Sequence, residues 1–209
     1  YMDAAGWSST SGEVANWIAS LKTFQSNKGV IVWANGNHSD QSWNTDKSHF
    51  LAALPEMDSD LKGAWLTVST VDIIGSAGNE TYYNRYANCG ATASYCLSVD
   101  SYGVTVAAHE DANSGTVDYD GSSSYYAATT SGNSFGAPMV SGSVAILAEA
   151  FPSLTPKEIA ARLLATADNT WFTSDATTEF SNGVKHGFNF RFGHGIPDLY
   201  AALQPITSN

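Results

Sequence analysis

The amino-acid sequence predicts an α/β fold, in which helices cover a mainly parallel sheet. Residues 13–28 place apolar side chains at helical spacing, and Gly29 follows where the helix is expected to end. Residues 30–33 (Val-Ile-Val-Trp) form a short apolar run typical of a buried parallel strand. Polar residues follow at 34–37 (Ala-Asn-Gly-Asn), the position of active groups in open α/β sheets.

Length and charge exclude several classes of function. The chain has 209 residues, enough for one domain with a sizeable core. Nine basic against twenty acidic residues give a net charge of −11, which argues against a nucleic-acid partner. The apolar runs are too short to span a bilayer. The N-terminus lacks the pattern of a signal peptide, and we interpret the chain as a mature fragment.

Ser134 is the main candidate for a nucleophile. It lies between Gly132 and Gly136, just before a long apolar helix expected to contain Pro138 in its first turn. A helix without a polar face is expected to run through a core. Unpaired N–H groups and the macrodipole at its N-terminus would stabilise negative charge developing beside Ser134.

Three interpretations of this stretch are open. Gly132, Ser134 and Gly136 fit the G-x-S-x-G elbow of α/β-hydrolases, although residues 122–130 before them resemble a strand only weakly. In that case Asp175 and His194 would complete the catalytic group. The serine could also merely allow two helices to approach each other.

The longer stretch at residues 132–142 resembles the serine motif of subtilisin-like proteases, G-T-S-(M/F)-A-A-P-x-V-(A/S)-G. It departs from that motif at Asn133, Gly136 and Met139. This third interpretation is the one we favour. The resemblance implies that Ser134 attacks a peptide carbonyl, and it makes Asn133 a candidate substrate-binding residue.

Residues 34–37 resemble a second landmark of the same family, V-V-A-A-G-N. The resemblance implies that Asn37 donates to the oxyanion and that Ala34, Asn35 and Gly36 form a wall of the S1 pocket. An Asn-Gly-Asn sequence would also make a polar turn without any catalytic role.

The middle of the chain resembles subtilases carried as passengers on autotransporters. The similar segments are residues 49–55, 61–71 and 82–96. Two cysteines in a chain of exported type favour a Cys89–Cys96 disulfide over a reduced pair in a cytosolic enzyme. Zinc-site spacing is absent from the sequence. Asp118 and Asp120 could bind a structural calcium ion, but a solvated loop is the favoured interpretation, and no cofactor is required.

The resemblance to subtilases continues to the end of the chain. Thr155, Pro156 and Glu158 predict a helix start with a capping box. Residues 192–203 resemble the family's closing G-x-G-x-x-(D/N) segment. The family implies a three-layer α/β/α architecture with a mainly parallel central sheet. Residues 1–209 would be the C-terminal two-thirds of one catalytic domain.

The family's Asp and His motifs are not present. The five histidines are His38, His49, His109, His186 and His194, and none stands in a suitable context or precedes Asn37. A missing N-terminal segment of the same protease is therefore the expected partner. It would bring the triad His and Asp, and this chain alone would be inactive.

The expected function is a secreted or surface-displayed serine endopeptidase. Its substrate would be a peptide or protein, and its location the exterior, the periplasm or the cell surface. The alternatives are the α/β-hydrolase-type esterase and a binding module that has lost catalysis.

Overall fold

The computed structural model describes residues 12–37, 48–107 and 126–206. The α-helices there are α1 (Gly12–Ser26), α2 (Leu54–Met57), α3 (Asn133–Ala150), α4 (Pro156–Ala165) and α5 (Leu199–Leu203). The strands are β1 (Ile31–Ala34), β2 (Trp65–Ser76), β3 (Asn79–Asn84), β4 (Cys96–Asp100), β5 (Val104–Ala107), β6 (Tyr126–Thr130), β7 (Ala176–Glu179) and β8 (Lys185–Phe188). Two 3-10 helices, Ser59–Ala64 and Gly90–Tyr95, precede β2 and β4.

Strand β2 is the centre of the main sheet. It pairs in parallel with β1 along one edge and with β4 along the other. Its carboxyl half turns back into β3, which is antiparallel. Because Val71 pairs with both Asn84 and Asp100, β3 and β4 lie on opposite edges of β2. The predicted mainly parallel sheet is confirmed, and β1 and β4 end at the same edge of it.

The two faces of β2 contact different helical segments. A Cβ added at Gly136 of α3 would lie 2.8 Å from Val68 Cγ1, so α3 packs directly on that face. On the opposite face the Thr67 hydroxyl donates to the Thr92 hydroxyl of the second 3-10 helix, at 2.8 Å. Helical segments therefore cover both faces of the sheet, as the layered architecture predicts.

Two short antiparallel ribbons complete the described strands. The strand predicted at residues 104–107 is β5, and it pairs with β6. Strand β6 is the described part of the segment that the sequence marks only weakly as a strand. The second ribbon, β7 with β8, precedes the closing segment of the chain.

Helix α1 ends earlier than predicted. Its last residue is Ser26, and Lys28 adopts the left-handed conformation with a φ of 70°. Gly29 has a different role, because a Cβ there would lie 2.2 Å from the ring of Phe24. The glycine therefore allows the aromatic ring to pack over the backbone just before β1.

The prediction for the start of α3 is wrong, because Pro138 lies in the second turn of the helix and not in the first. The helix begins at Asn133, and Pro138 lies inside it. Proline has no N–H, so the carbonyl of Ser134 lacks its usual helical donor. Ser134 thus belongs to the first turn of the helix.

Helix α3 is also less buried than its sequence predicts. One face is buried, with Val140 and Leu147 fully inaccessible to solvent. Met139 and Ile146 remain 43% and 46% exposed, and nothing lies within 4 Å of a Cβ added at Gly142. Among the described residues, an apolar stripe of this helix is therefore uncovered.

The predicted capping box of α4 is confirmed. The Thr155 hydroxyl accepts from the Glu158 N–H at 3.3 Å, and the Glu158 carboxylate accepts from the Thr155 N–H at 2.7 Å. These bonds to the Thr155 backbone and hydroxyl lower the pKa of Glu158. A cap of this kind stabilises a helix by about 1 kcal/mol.

The structure contains the expected Cys89–Cys96 disulfide, with the two Cα atoms 5.9 Å apart. Both cysteines are fully buried and pack with Ala93 and Phe188 in a small second core. The bond closes the loop that holds the 3-10 helix Gly90–Tyr95 against the sheet.

This pairing predicts a mass difference that depends on reductant. Alkylation of the denatured protein should add two alkyl groups after reduction and none before it, because the only two cysteines of the chain are joined. Intact-mass spectrometry measures the difference. Alkylation of the unreduced, denatured sample would contradict the disulfide.

Candidate active site

The first part of the candidate site follows β1. Ala34 is the last residue of the strand, and the Asn35 N–H donates to the Val68 carbonyl at 2.9 Å, which extends the parallel ladder by one bond. Gly36 then adopts a φ of 97°, a conformation that favours glycine. This turn brings Asn37, which is exposed, to the edge of the sheet where β1 ends.

The second part is the N-terminus of α3. The Gly132 N–H donates to the Ser101 carbonyl at 3.2 Å, just beyond the end of β4. Ser134 is the second residue of α3, and its side chain is exposed. Its backbone N–H is one of the groups at a helix start that have no partner within the helix, and the macrodipole favours an anion there.

A hydrogen bond joins these two parts. The Asn133 N–H donates to Asn37 Oδ1 at 2.8 Å, and this contact fixes which end of the Asn37 amide accepts. The other end, Nδ2, is therefore the donor. Glycine is favoured at position 132 because its φ is 147° and because an added Cβ would lie only 3.0 Å from Nδ2.

Asn35 does not present its side chain to a substrate. It is fully buried, and its Nδ2 donates to the Asn88 carbonyl at 2.8 Å and to the Thr92 hydroxyl at 3.3 Å. Only the backbone around Asn35 is available to line a pocket. Ala34 and Gly36 are half-buried beside it, and the role of these three residues in the S1 wall stays a prediction.

Comparison with known families decides the identity of this arrangement. The model of the subtilase family matches residues 2–195 of the chain. The chain is a subtilase. No curated protein is detectably similar to it in sequence.

Several solved structures share the fold of this subtilase. The prenylagaramide maturation protease PagA superposes with a TM-score of 0.55 at 20% sequence identity, and the match covers 90% of this chain and 55% of PagA. Fervidolysin from Fervidobacterium pennivorans, a keratinolytic enzyme related to subtilisin, superposes with a TM-score of 0.56 at 21% sequence identity. The match covers 94% of this chain and 25% of the fervidolysin chain. MycP1 from Mycobacterium smegmatis superposes with a TM-score of 0.51 at 23% sequence identity, and the match covers 94% of this chain and 47% of MycP1.

Identities this low show the fold alone. The subtilase chain spans about half the length of PagA and of MycP1, and a quarter of the fervidolysin chain.

Two further side chains support the site and were not predicted from the sequence. The Thr70 and Ser101 hydroxyl oxygens lie 2.9 Å apart, and both residues are fully buried under the start of α3. They belong to no recognisable motif: Thr70 lies in the middle of β2, paired with Val99, and Ser101 directly follows β4.

The α/β-hydrolase alternative is wrong, because His194 lies at the other end of the sheet. Its N–H donates to the carbonyl of Cys96, at the start of β4, whereas Gly132 is bonded to Ser101 beyond the end of that strand. Five residues of strand separate the two points by roughly 16 Å. Asp175 accepts from the Phe190 N–H at 2.8 Å and likewise lies away from Ser134.

His194, which is fully buried, and His186, which is half-buried, form a pair with a structural role. Their Nδ1 atoms lie 2.9 Å apart, and their Nε2 atoms face the carbonyls of Ser94 and Ala167. A shared extra proton would give each ring nitrogen a partner, but it would place an uncompensated charge in the interior. Desolvation outweighs that gain and lowers the pKa of both rings, that of His194 to about 3.

Charges beside the site lie on β2, β4 and the segment after β3. Arg85 Nε donates to Asp72 at 2.8 Å, and this pairing raises the pKa of Arg85. Burial raises the pKa of Asp100, and the nearby Asp72 carboxylate raises it further. Arg85 therefore offsets part of the negative charge of Asp72 and Asp100.

Metal binding and membrane insertion can be assessed only for the described ranges. Within them, no group of three His, Cys, Asp or Glu side chains could hold a metal ion. Asp118 and Asp120, the candidate calcium ligands, lie outside those ranges, as do His38 and His109. No helix in the part of the chain described here has the length and hydropathy needed to cross a membrane.

The buried histidine pair predicts acid sensitivity of folding. The folded-state pKa of His194 lies below its usual 6.5, at about 3. Between these two pH values the unfolded chain therefore binds more protons than the folded chain does. Stability is lost as the pH falls from about 6.5 towards 3. His194→Gln should reduce the slope of the unfolding free energy against pH. The reduction should be at most about 1.4 kcal/mol per pH unit, which is the contribution of one proton.

Urea denaturation of the folded protein between pH 4 and 7, about the interval in which an unperturbed histidine titrates, measures these slopes. Equal slopes for His194→Gln and the wild type would contradict the assignment of a neutral buried pair.

Proposed function

We propose that this chain supplies the nucleophile and the oxyanion hole of a secreted serine endopeptidase. The observation that carries the proposal is the contact between the Asn133 N–H and Asn37 Oδ1, which holds a side-chain donor beside the N-terminus of α3. Family membership and the shared fold support the same activity.

The chemistry follows from the two donors and the serine. Ser134 Oγ would attack the scissile carbonyl carbon and lose its proton to a general base. Asn37 Nδ2 and the Ser134 N–H would donate to the carbonyl oxygen as it becomes an oxyanion. Collapse of the tetrahedral intermediate releases the amine, which takes the proton from the base, and water then hydrolyses the acyl-enzyme.

The general base and its carboxylate are proposed to come from outside the described residues. Of the three described histidines, His186 and His194 are paired with each other elsewhere in the fold, and His49 Nδ1 accepts from the Leu51 N–H at 3.3 Å. The uncovered stripe of α3 supports a docking segment, because Met139, Gly142 and Ile146 lie on the helix whose second residue is Ser134. An apolar segment laid along this stripe would end beside the nucleophile. We propose that it belongs to an N-terminal part of the same protease.

An exported location is proposed from the disulfide and the family. Buried disulfides persist in oxidising compartments such as the periplasm and the exterior of the cell, and Cys89–Cys96 is fully buried. Export as the passenger domain of an autotransporter is the more specific form of this proposal, and it rests on sequence resemblance. Peptides or proteins would be the substrates, with calcium as a candidate structural ion and no cofactor required.

A binding module that has lost catalysis is the remaining alternative. It keeps the fold and the turn at Asn37 but has no reactive serine. Reactivity of Ser134 separates the two functions.

The proposed nucleophile predicts selective labelling by a fluorophosphonate probe. The complete natural protein should be labelled at Ser134, and Ser134→Ala should abolish the labelling, because only an activated serine attacks phosphorus at a useful rate. Peptide mapping by mass spectrometry identifies the modified residue. Ser141→Ala is the matched control, since Ser141 is an exposed serine of the same helix whose hydroxyl donates to the Ala137 carbonyl.

Labelling lost in the control, or absent from the wild type, would instead favour the binding module. Residues 1–209 expressed alone should show little labelling, because the base would be missing.

The proposed oxyanion donor predicts a defect in turnover. Asn37→Ala should lower kcat by about 100- to 1000-fold with little change in KM, because this hydrogen bond strengthens only as the oxyanion forms. Steady-state kinetics on a peptide substrate measure both constants. Asn27→Ala, at an exposed position before β1, serves as the control. A raised KM with unchanged kcat would make Asn37 a turn residue.

A further inference from the structure

Asn133 stands where the serine motif of the family usually has threonine, and the structure gives it a defined environment. The residue is fully buried although it directly precedes the exposed Ser134. A fully buried side chain cannot contact a bound peptide in this conformation. Its contacts are therefore with the protein itself.

Three hydrogen bonds tie Asn133 to two separate segments. Its Nδ2 donates to the Gly36 carbonyl at 2.5 Å, and its Oδ1 accepts from the Thr70 N–H at 2.6 Å. Its backbone N–H donates to Asn37 Oδ1 at 2.8 Å. One residue thus connects the start of α3 to strand β2 and to the turn that carries Asn37.

The primary amide suits this position because its donor and acceptor are separate atoms. Nδ2 serves the Gly36 carbonyl while Oδ1 serves the Thr70 N–H. A carboxylate of the same shape has no donor, so aspartate would face the Gly36 carbonyl with an oxygen. Buried groups left without a partner are costly, and the turn would be expected to move away from the helix.

We propose that Asn133 is a positioning residue that holds the Asn37 amide in register with the N-terminus of α3. Its side chain fixes the Gly36 carbonyl, one residue before Asn37, against a strand of the central sheet. Its backbone N–H selects Oδ1 of Asn37 as the acceptor, so that Nδ2 is left to donate. This inference rests on the proposed oxyanion role of Asn37.

A double-mutant cycle in the complete natural enzyme tests the inference. Asn133→Asp should lower kcat by roughly 10-fold or more with little change in KM in the wild-type background. In the Asn37→Ala background the same substitution should change kcat by less than about 2-fold, because residues that act through one another are strongly non-additive.

Ser143→Ala is the matched control for general damage to the helix. Ser143 is a buried polar residue of α3 whose hydroxyl donates to the Met139 carbonyl at 3.0 Å. Its effect on kcat should be equal in the two backgrounds. Asn133→Thr, which restores the residue usual in the family, is carried through the same cycle and keeps the test valid should the aspartate variant not fold.

The outcomes separate this inference from the proposed function. Equal kcat losses in both backgrounds would overturn the positioning role and leave Asn37 as the donor. A raised KM with unchanged kcat for the Asn133 variants would make Asn133 a substrate-binding residue and overturn the inference. An Asn37→Ala enzyme with normal kcat would overturn both the oxyanion role and the inference.

Discussion

Strand β2 hydrogen-bonds β1 along one edge and β4 along the other, and both pairings are parallel. Parallel strands bring their carboxyl ends to the same edge of a sheet. The turn that carries Asn37 therefore emerges beside Thr70 and Ser101, although these residues are far apart in sequence. Helix α3 starts at that edge because the Ser101 carbonyl accepts from Gly132 and the Thr70 N–H donates to Asn133. The position of Ser134 is thus a consequence of strand order.

Packing on this sheet leaves part of α3 uncovered among the described residues. One face of α3 packs on β2, while the stripe that includes Met139 and Ile146 is exposed. Burying apolar surface stabilises a domain by about 25 cal/mol per Å², so a partner that covered this stripe would add stability. The chain spans about half of PagA and of MycP1. We propose that a docking segment covers this stripe and brings a base to Ser134.

Local signals in the sequence predicted much of the fold and the placement of the site. The capping box at Thr155, the strand before Asn37 and the disulfide depend on residues close in sequence, and each is present. The direction of a side chain depends on distant partners instead. Asn35 faces inward because the Asn88 carbonyl and Thr92 accept from its amide, more than fifty residues away in the chain. The start of α3 was missed because Gly132 and Asn133 are fixed by strands that no local pattern reveals.

We propose that Asn37 Nδ2 and the Ser134 N–H donate to one oxyanion. A crystal structure of the complete enzyme with a peptide phosphonate bound to Ser134 tests it directly, since the phosphoryl oxygen stands in for the oxyanion. The account predicts that this oxygen lies about 2.7–3.1 Å from both nitrogen atoms, the distance expected of an oxyanion hole. A phosphoryl oxygen directed away from Asn37, beyond about 3.5 Å from Nδ2, would contradict the account.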